Sequence, residues 1–291
     1  MTFTPPSIQL RFGSGAEART ADREGLEDGR LGGTPIPTYA EIVAKYPDLA
    51  AAECVYAAGS LVLGWGHAAS DLDLYVISEE PLVPGGGLES FVRHASTEDP
   101  VMRIVIAEFG AYRADIELWR TVQVDEIIGR FAAGVPSQDA PELDKSEQDL
   151  LYRLVTGRPL HGQEWWASRR EAIRRSGYGL WLAENRKLIA ETYLEDVGGL
   201  LRSGDVDTAV LAAQEAFTGS LEAVFAVHGD YSVNRKWLAR RLREYPLPEI
   251  GADEAWAVLL MVGAADDPAG WAESTARTAQ RLLLTVERAA A

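Results

Sequence analysis

Residues 57–74 read Ala57-Ala58-Gly59-Ser60-Leu61-Val62-Leu63-Gly64-Trp65-Gly66-His67-Ala68-Ala69-Ser70-Asp71-Leu72-Asp73-Leu74. They follow an apolar run, Cys54 to Ala58, with the length and composition of a buried strand. Gly59-Ser60 then opens a helical turn, where backbone N–H groups without intrahelical partners and a hydroxyl can receive phosphate oxygens. At the far end Asp71 and Asp73 alternate with Leu72 and Leu74. On a strand this period puts both carboxylates on one face, about 7 Å apart, and sends the leucines into the core. Like charges so placed repel unless a cation sits between or above them. Mg²⁺ suits the position, because it takes oxygen ligands and shares its shell with water and phosphate.

Working outward, the first 37 residues are rich in Gly, Pro, Thr and charge and read as an arm with one strand-like fragment, Ile8 to Phe12. A helical pattern begins at Thr38 and runs through Tyr39, Ile42, Val43 and Leu49. Strands are expected at Cys54 to Ala58, Leu72 to Ile77, Val101 to Phe109 and Tyr112 to Trp119, with a Pro/Gly loop from Pro81 to Gly87 and a turn at Gly110-Ala111. After Val135-Pro136 the apolar spacing becomes helical nearly to the end. Ser146 with Asp149 is expected to cap a helix running to Val155, with Gly157 and Pro159 ending it. A second helix from about Asp205 places Ala209, Val210, Ala213, Phe217, Leu221 and Val224 on one stripe and stops at Gly229. Asn234 is expected to cap a helix through Leu242, and two more fill Ala252 to Gly263 and Pro268 to Ala290. The fold class is α+β: an arm (1–37), a mixed-sheet domain (38–140) and a C-terminal helical bundle (141–291).

Composition bounds the function. The 291 residues are 47% hydrophobic and 25% charged, which are globular values that exclude a disordered or fibrous chain. With 28 Lys+Arg against 44 Asp+Glu the net charge is −16, a field that repels nucleic acid and attracts cations. A single cysteine, Cys54, excludes an intrachain disulfide and a cysteine-rich zinc site. No basic-then-apolar leader follows Met1, and the apolar stretch around Ala257 to Ala265 is too short to span a membrane. Cytoplasmic location is the expectation. Trp165-Trp166 reads as packing, with an aromatic wall for a planar or cationic ligand as the alternative.

An apolar-Gly-Ser turn, ten residues between Ser60 and Asp71, an Asp-Leu-Asp-Leu strand and a later acidic strand, Arg113-Ala114-Asp115-Ile116-Glu117-Leu118, together form a composite motif. It resembles that of the nucleotidyltransferase superfamily typified by DNA polymerase β and kanamycin nucleotidyltransferase. The resemblance implies that Gly59 and Ser60, with Ser70 in the approach to the strand, hold a triphosphate, and that Asp71 and Asp73 bind two Mg²⁺ ions. The third carboxylate is Asp115 or Glu117, with the basic-apolar-Asp-apolar order favouring Asp115. Tyr231-Ser232-Val233-Asn234-Arg235-Lys236-Trp237-Leu238 is similar to the helix start that, in antibiotic nucleotidyltransferases, delivers a lysine, here Lys236, to the triphosphate. The helix before it carries Gln214, Glu215 and Glu222, and Glu215 stands as the candidate general base. His67 lies in the loop before Asp71.

The resemblance implies transfer of a nucleoside monophosphate, AMP from ATP, to a hydroxyl. The acidic balance points to a small cationic acceptor such as an aminoglycoside. Nucleic acid and membrane partners are not expected. The alternatives are a nucleotidyltransferase acting on tRNA or protein, and a non-catalytic nucleotide-binding homologue. The catalytic reading expects the oxygens of Asp71, Asp73 and either Asp115 or Glu117 to converge on one metal-sized site, and it fails if they point to different faces.

Overall fold

A computed structural model describes residues 30–31, 34–67, 69–83, 85, 88–110, 112–135 and 143–290. The Ile8 to Phe12 fragment, most of the 1–37 arm, Ala111 and the boundary near residue 140 lie outside the described residues. Strands β1 (Arg30–Leu31) and β2 (Thr34–Pro35) form a two-stranded antiparallel ladder. Helix α1 (Tyr39–Lys45) starts at a capping box in which Thr38 Oγ1 accepts from the Glu41 amide and Glu41 accepts from the Thr38 amide. A 3₁₀ turn, Pro47–Ala51, leads to β3 (Cys54–Ala58), α2 (Gly59–Val62) and β4 (Leu72–Ser78). Next come β5 (Ser90–His94), β6 (Val101–Phe109), β7 (Tyr112–Arg120), α3 (Thr121–Gly129), α4 (Lys145–Thr156) and β8 (Arg158–His161).

Six of these strands make one mixed sheet in the order β5-β6-β7-β4-β3-β8. Only β4 and β7 pair in parallel; the other neighbours are antiparallel. Strand β3 is buried throughout because both faces of the sheet are covered. On one side Val55, Ala57, Leu72, Leu74 and Val76 pack with Ile42 and Leu49 of the α1 region. On the other, Cys54, Tyr56, Tyr75 and Trp119 pack with Leu150, Leu151 and Leu154 of α4. The alternation Asp-Leu-Asp-Leu thus resolves as expected, with Leu72 and Leu74 fully buried.

The expected strands at 54–58, 72–77, 101–109 and 112–119 all form. Other elements depart from the sequence reading: β5 and α3 form where neither was expected, Asn234 caps a 3₁₀ turn at Arg235–Trp237, and the helix starting at Ala252 ends at Leu259. Residues 158–161 return to the sheet as edge strand β8 beside β3, so the part of the chain after residue 141 is not wholly helical. The cap of α4 is Asp144 with Glu147, not Ser146 with Asp149: the Glu147 amide donates to Asp144 Oδ1 at 2.8 Å and the Asp144 amide returns to Glu147 Oε2 at 2.8 Å. Glu147 is fully buried and also accepts from the Ser96 amide and hydroxyl, which ties α4 to the segment after β5.

The remaining helices are α5 (Gln163–Arg175), α6 (Tyr178–Ser203), α7 (Val206–Val227), α8 (Leu238–Glu244), α9 (Ala252–Leu259) and α10 (Pro268–Ala290), with a 3₁₀ turn at Arg235–Trp237. Helices α6, α7 and α10 pack on one another with α7 at the centre. The stripe Ala209, Val210, Ala213, Phe217, Leu221 and Val224 is buried as its spacing requires. By length and composition α7 could cross a membrane, but most of it is buried inside the protein. Trp165 and Trp166 pack against the sheet-side core, and the guanidinium groups of Arg169 and Arg170 lie 4.7 and 5.0 Å from their ring centroids.

Cys54 is buried, and desolvation pushes its thiol up to about 12. It is therefore expected to resist an aromatic disulfide reagent at pH 8 in the native state and to react on unfolding. Rapid native labelling would show that β3 is not enclosed as described.

Candidate active site

Strand pairing builds the site. In the antiparallel ladder of β3 and β4, Ala58 stands opposite Asp73, so the turn leaving β3 lies against that carboxylate. Gly59 takes φ +77° there, and a Cβ on it would fall 1.7 Å from Asp73 Oδ2. In the parallel ladder of β4 and β7, Asp73 stands opposite Asp115 and Tyr75 opposite Glu117. Register partners on neighbouring strands share a face, at the strand spacing of about 4.8 Å. Asp71 immediately precedes β4. The Asp73 and Asp115 side chains keep 20% and 32% of their surface exposed, so the pair is reachable from solvent.

Burial and neighbouring charges act on this pair together. Burial raises the pKa of Asp73; Arg153 opposes the rise, and the charges of Asp115 and Asp71 add to it. Burial likewise raises Asp115, with Arg113 opposing and Asp71 adding. Asp115 Oδ1 is buried with no hydrogen bond, and Arg113 Nη2 approaches it only to 3.4 Å. Glu117 is differently placed: Oε1 accepts from the Tyr75 hydroxyl at 2.7 Å and Oε2 from Trp119 Nε1 at 3.1 Å. Its pKa is raised by burial. Both of its oxygens are thus held by the protein, two residues along β7 from Asp115.

Arg153 is the component that sequence reasoning missed. Helix α4, anchored by buried Leu150, Leu151 and Leu154, aims it at the sheet. Its Nη1 donates to Asp73 Oδ1 at 2.7 Å and lies 4.0 Å from Glu117 Oε1. The guanidinium also stands 5.6 Å from the centroid of the Tyr75 ring, which stacks on Tyr56. Burial works against this charge, but Tyr75, Asp73, Glu117 and Asp149 outweigh it and raise its pKa. The i, i+4 spacing of Asp149 and Arg153 was the only local signal, and it reads as an ordinary helix-surface pair.

The expected convergence on a ready-made three-carboxylate site does not occur. Among the described residues no group of three His, Cys, Asp or Glu stands at metal-binding separation. The charge of Asp71 helps to raise the pKa of both Asp73 and Asp115, and Arg153 holds one oxygen of Asp73.

The rest of the expected site divides in two. Ser70 Oγ accepts from the His67 amide at 2.9 Å, and His67 Nδ1 from the Ala69 amide at 3.1 Å, so both residues shape the loop entering β4. Trp65 in that loop donates Nε1 to Glu244 at 2.7 Å and lies 5.5 Å from the ring of Trp237. The 3₁₀ turn bearing Lys236 therefore docks against Trp65 in the segment between α2 and β4, with Lys236 Nζ 5.0 Å from the Trp237 ring centroid. Glu215 is held elsewhere: Arg235 Nη1 donates to it at 2.8 Å, and the same guanidinium lies 3.5 Å from buried Glu222. Gln214 donates to the Leu259 carbonyl.

No protein-family model and no curated protein matches the chain. Among solved structures, it is similar to a nucleotidyltransferase-like protein from Exiguobacterium sibiricum 255-15. That likeness has a TM-score of 0.45 and 12% identity, over 85% of this chain and 74% of the other.

The donor set itself suits a hard cation. Two facing carboxylates, one with an orphaned buried oxygen, and a third beside them can supply part of an oxygen shell, with phosphate and water completing it. The bare backbone at Gly59 is what lets the Asp73 carboxylate sit against the turn.

Proposed function

We propose that the protein is a nucleotidyltransferase, moving a nucleoside monophosphate from a triphosphate, ATP by preference, to a hydroxyl of a small cationic acceptor of the aminoglycoside kind. The observation that carries this reading is the in-register Asp73–Asp115 pair beside the Gly59 turn. Asp73 and Asp115, with Asp71 adjacent, would hold Mg²⁺, which when bound neutralises the triphosphate and polarises the phosphoryl oxygens. Glu117 is assigned to packing, since Tyr75 and Trp119 take both of its oxygens.

The chain's own groups would do the rest. The amides and hydroxyl at Gly59-Ser60 receive phosphate oxygens, and Lys236 approaches from the docked 3₁₀ turn. The acceptor O–H proton passes to the Asp115 carboxylate, which faces the site across the ladder from Asp73. The acceptor oxygen forms a bond to the α-phosphorus as the bond to the bridging oxygen breaks, and pyrophosphate leaves. Glu215 is not given the base role, because it is ion-paired with Arg235. The excess of acidic residues favours the cationic acceptor by steering.

One observation favours a second reading. The Arg153–Asp73 pair satisfies part of the carboxylate charge with protein, as a non-catalytic nucleotide-binding homologue could. Incubation with α-³²P-labelled triphosphates, Mg²⁺ and an aminoglycoside panel, total tRNA or cell lysate separates the possibilities. Label on an aminoglycoside is the expected result; label on tRNA or protein moves the acceptor assignment. Retention of nucleotide with no label transferred to any acceptor supports the second reading.

A further inference from the structure

We infer that Arg153 takes the place of one of the two cations expected from the carboxylate motif, so that the site accepts a single divalent ion with its nucleotide. This rests on the nucleotidyltransferase reading and concerns how that site is charged.

A site with two ions shares carboxylates between them, with the metals about 3.5–4 Å apart. Asp73 is the residue placed to be shared, since it lies between Asp71 in sequence and Asp115 across the ladder. Its two oxygens are already differentiated. Oδ2 faces the bare Gly59 backbone, and Oδ1 accepts from Arg153 Nη1 at 2.7 Å. The guanidinium is fixed on that side. Leu150, Leu151 and Leu154 bury its helix in the core, Glu117 lies 4.0 Å away, and the Tyr75 ring flanks it. An arginine stays charged under all ordinary conditions. A divalent ion on Oδ1 would therefore sit against a fixed positive group in a partly buried setting, where like charges repel far more strongly than in water. On the other side, Asp73 Oδ2 and its register partner Asp115 remain for one ion, with water and phosphate to complete its shell. Arg153 acts through Asp73 and is a positioning residue.

The test is a count of bound Mn²⁺ by electron paramagnetic resonance on the full chain, with protein in excess and adenosine 5′-(α,β-methylene)triphosphate as the nucleotide. The wild type is expected to hold one Mn²⁺ per bound nucleotide. Arg153→Met, which removes the charge, is expected to hold two, and Arg153→Lys, which keeps a cation, one. Two ions on the wild type, or one on Arg153→Met, would overturn the inference while leaving the nucleotidyltransferase reading in place. If the methionine variant fails to fold by circular dichroism, the wild-type count decides alone. Absence of both Mn²⁺ and nucleotide from wild type and Arg153→Lys would sink the underlying reading, and the inference with it.

Discussion

Gly59→Ala is expected to remove nucleotide binding and any transfer activity by at least about 100-fold, and to lower stability by about 2–4 kcal/mol. Two independent effects combine. The backbone at 59 has φ +77°, which costs a residue with a Cβ about 1–2 kcal/mol. The added methyl would also lie 1.7 Å from Asp73 Oδ2 and 2.7 Å from its Cγ, so either the turn or the carboxylate must move. Gly64 supplies the control within the same loop: its φ is +72°, but nothing lies within 4 Å of the Cβ position. Gly64→Ala should show only the conformational cost and keep nucleotide binding. Urea unfolding and nucleotide titration on the two variants give the comparison. Equal losses at both positions would mean that contact with Asp73 has no functional weight.

Asp73→Asn is expected to lower transfer about 10³-fold or more with the fold intact. A divalent ion at a phosphoryl centre contributes several kcal/mol, and each 1.36 kcal/mol is tenfold in rate. Asparagine keeps an oxygen that can accept from Arg153 but loses the charge that holds the ion. Burial disfavours the ionised aspartate, which favours the neutral amide, and Arg153 loses one charged partner but keeps Glu117 and Asp149. The midpoint of thermal unfolding should stay within a few degrees of wild type. Activity within tenfold of wild type would remove Asp73 from the mechanism.

The sheet was legible wherever burial imposed a pattern. Strands β4, β6 and β7 carry apolar residues on their buried faces, and β3 is apolar throughout because both its faces are covered. Strand β5 was not legible, since Ser90 to His94 are all exposed at the sheet edge and no core face sets their alternation. Strand β8 was hidden by Pro159, which reads as a breaker but is tolerated on an edge. The α4 cap was available in the sequence, because Asp144 and Glu147 have capping-box spacing; Ser146 and Asp149 share it two residues later.

In the site, the period-two aspartates and the Gly-Ser turn could be read because their spacing is local. Their relation to Asp115 depends on the parallel pairing of β4 with β7, which only the topology supplies. Arg153 could not be read at all: its partner Asp73 is 80 residues away, and its helix neighbours suggest a solvated face. Glu117 carried the same alternation signal as Asp115, and only the positions of Tyr75 and Trp119 tell the two apart.

The most direct test of the site is crystallographic: anomalous diffraction from crystals grown with Mn²⁺ and adenosine 5′-(α,β-methylene)triphosphate. An anomalous peak about 2 Å from oxygens of both Asp73 and Asp115, with the triphosphate against Gly59 and Ser60, is the predicted result. Nucleotide bound elsewhere, or a metal peak that neither carboxylate touches, would contradict it.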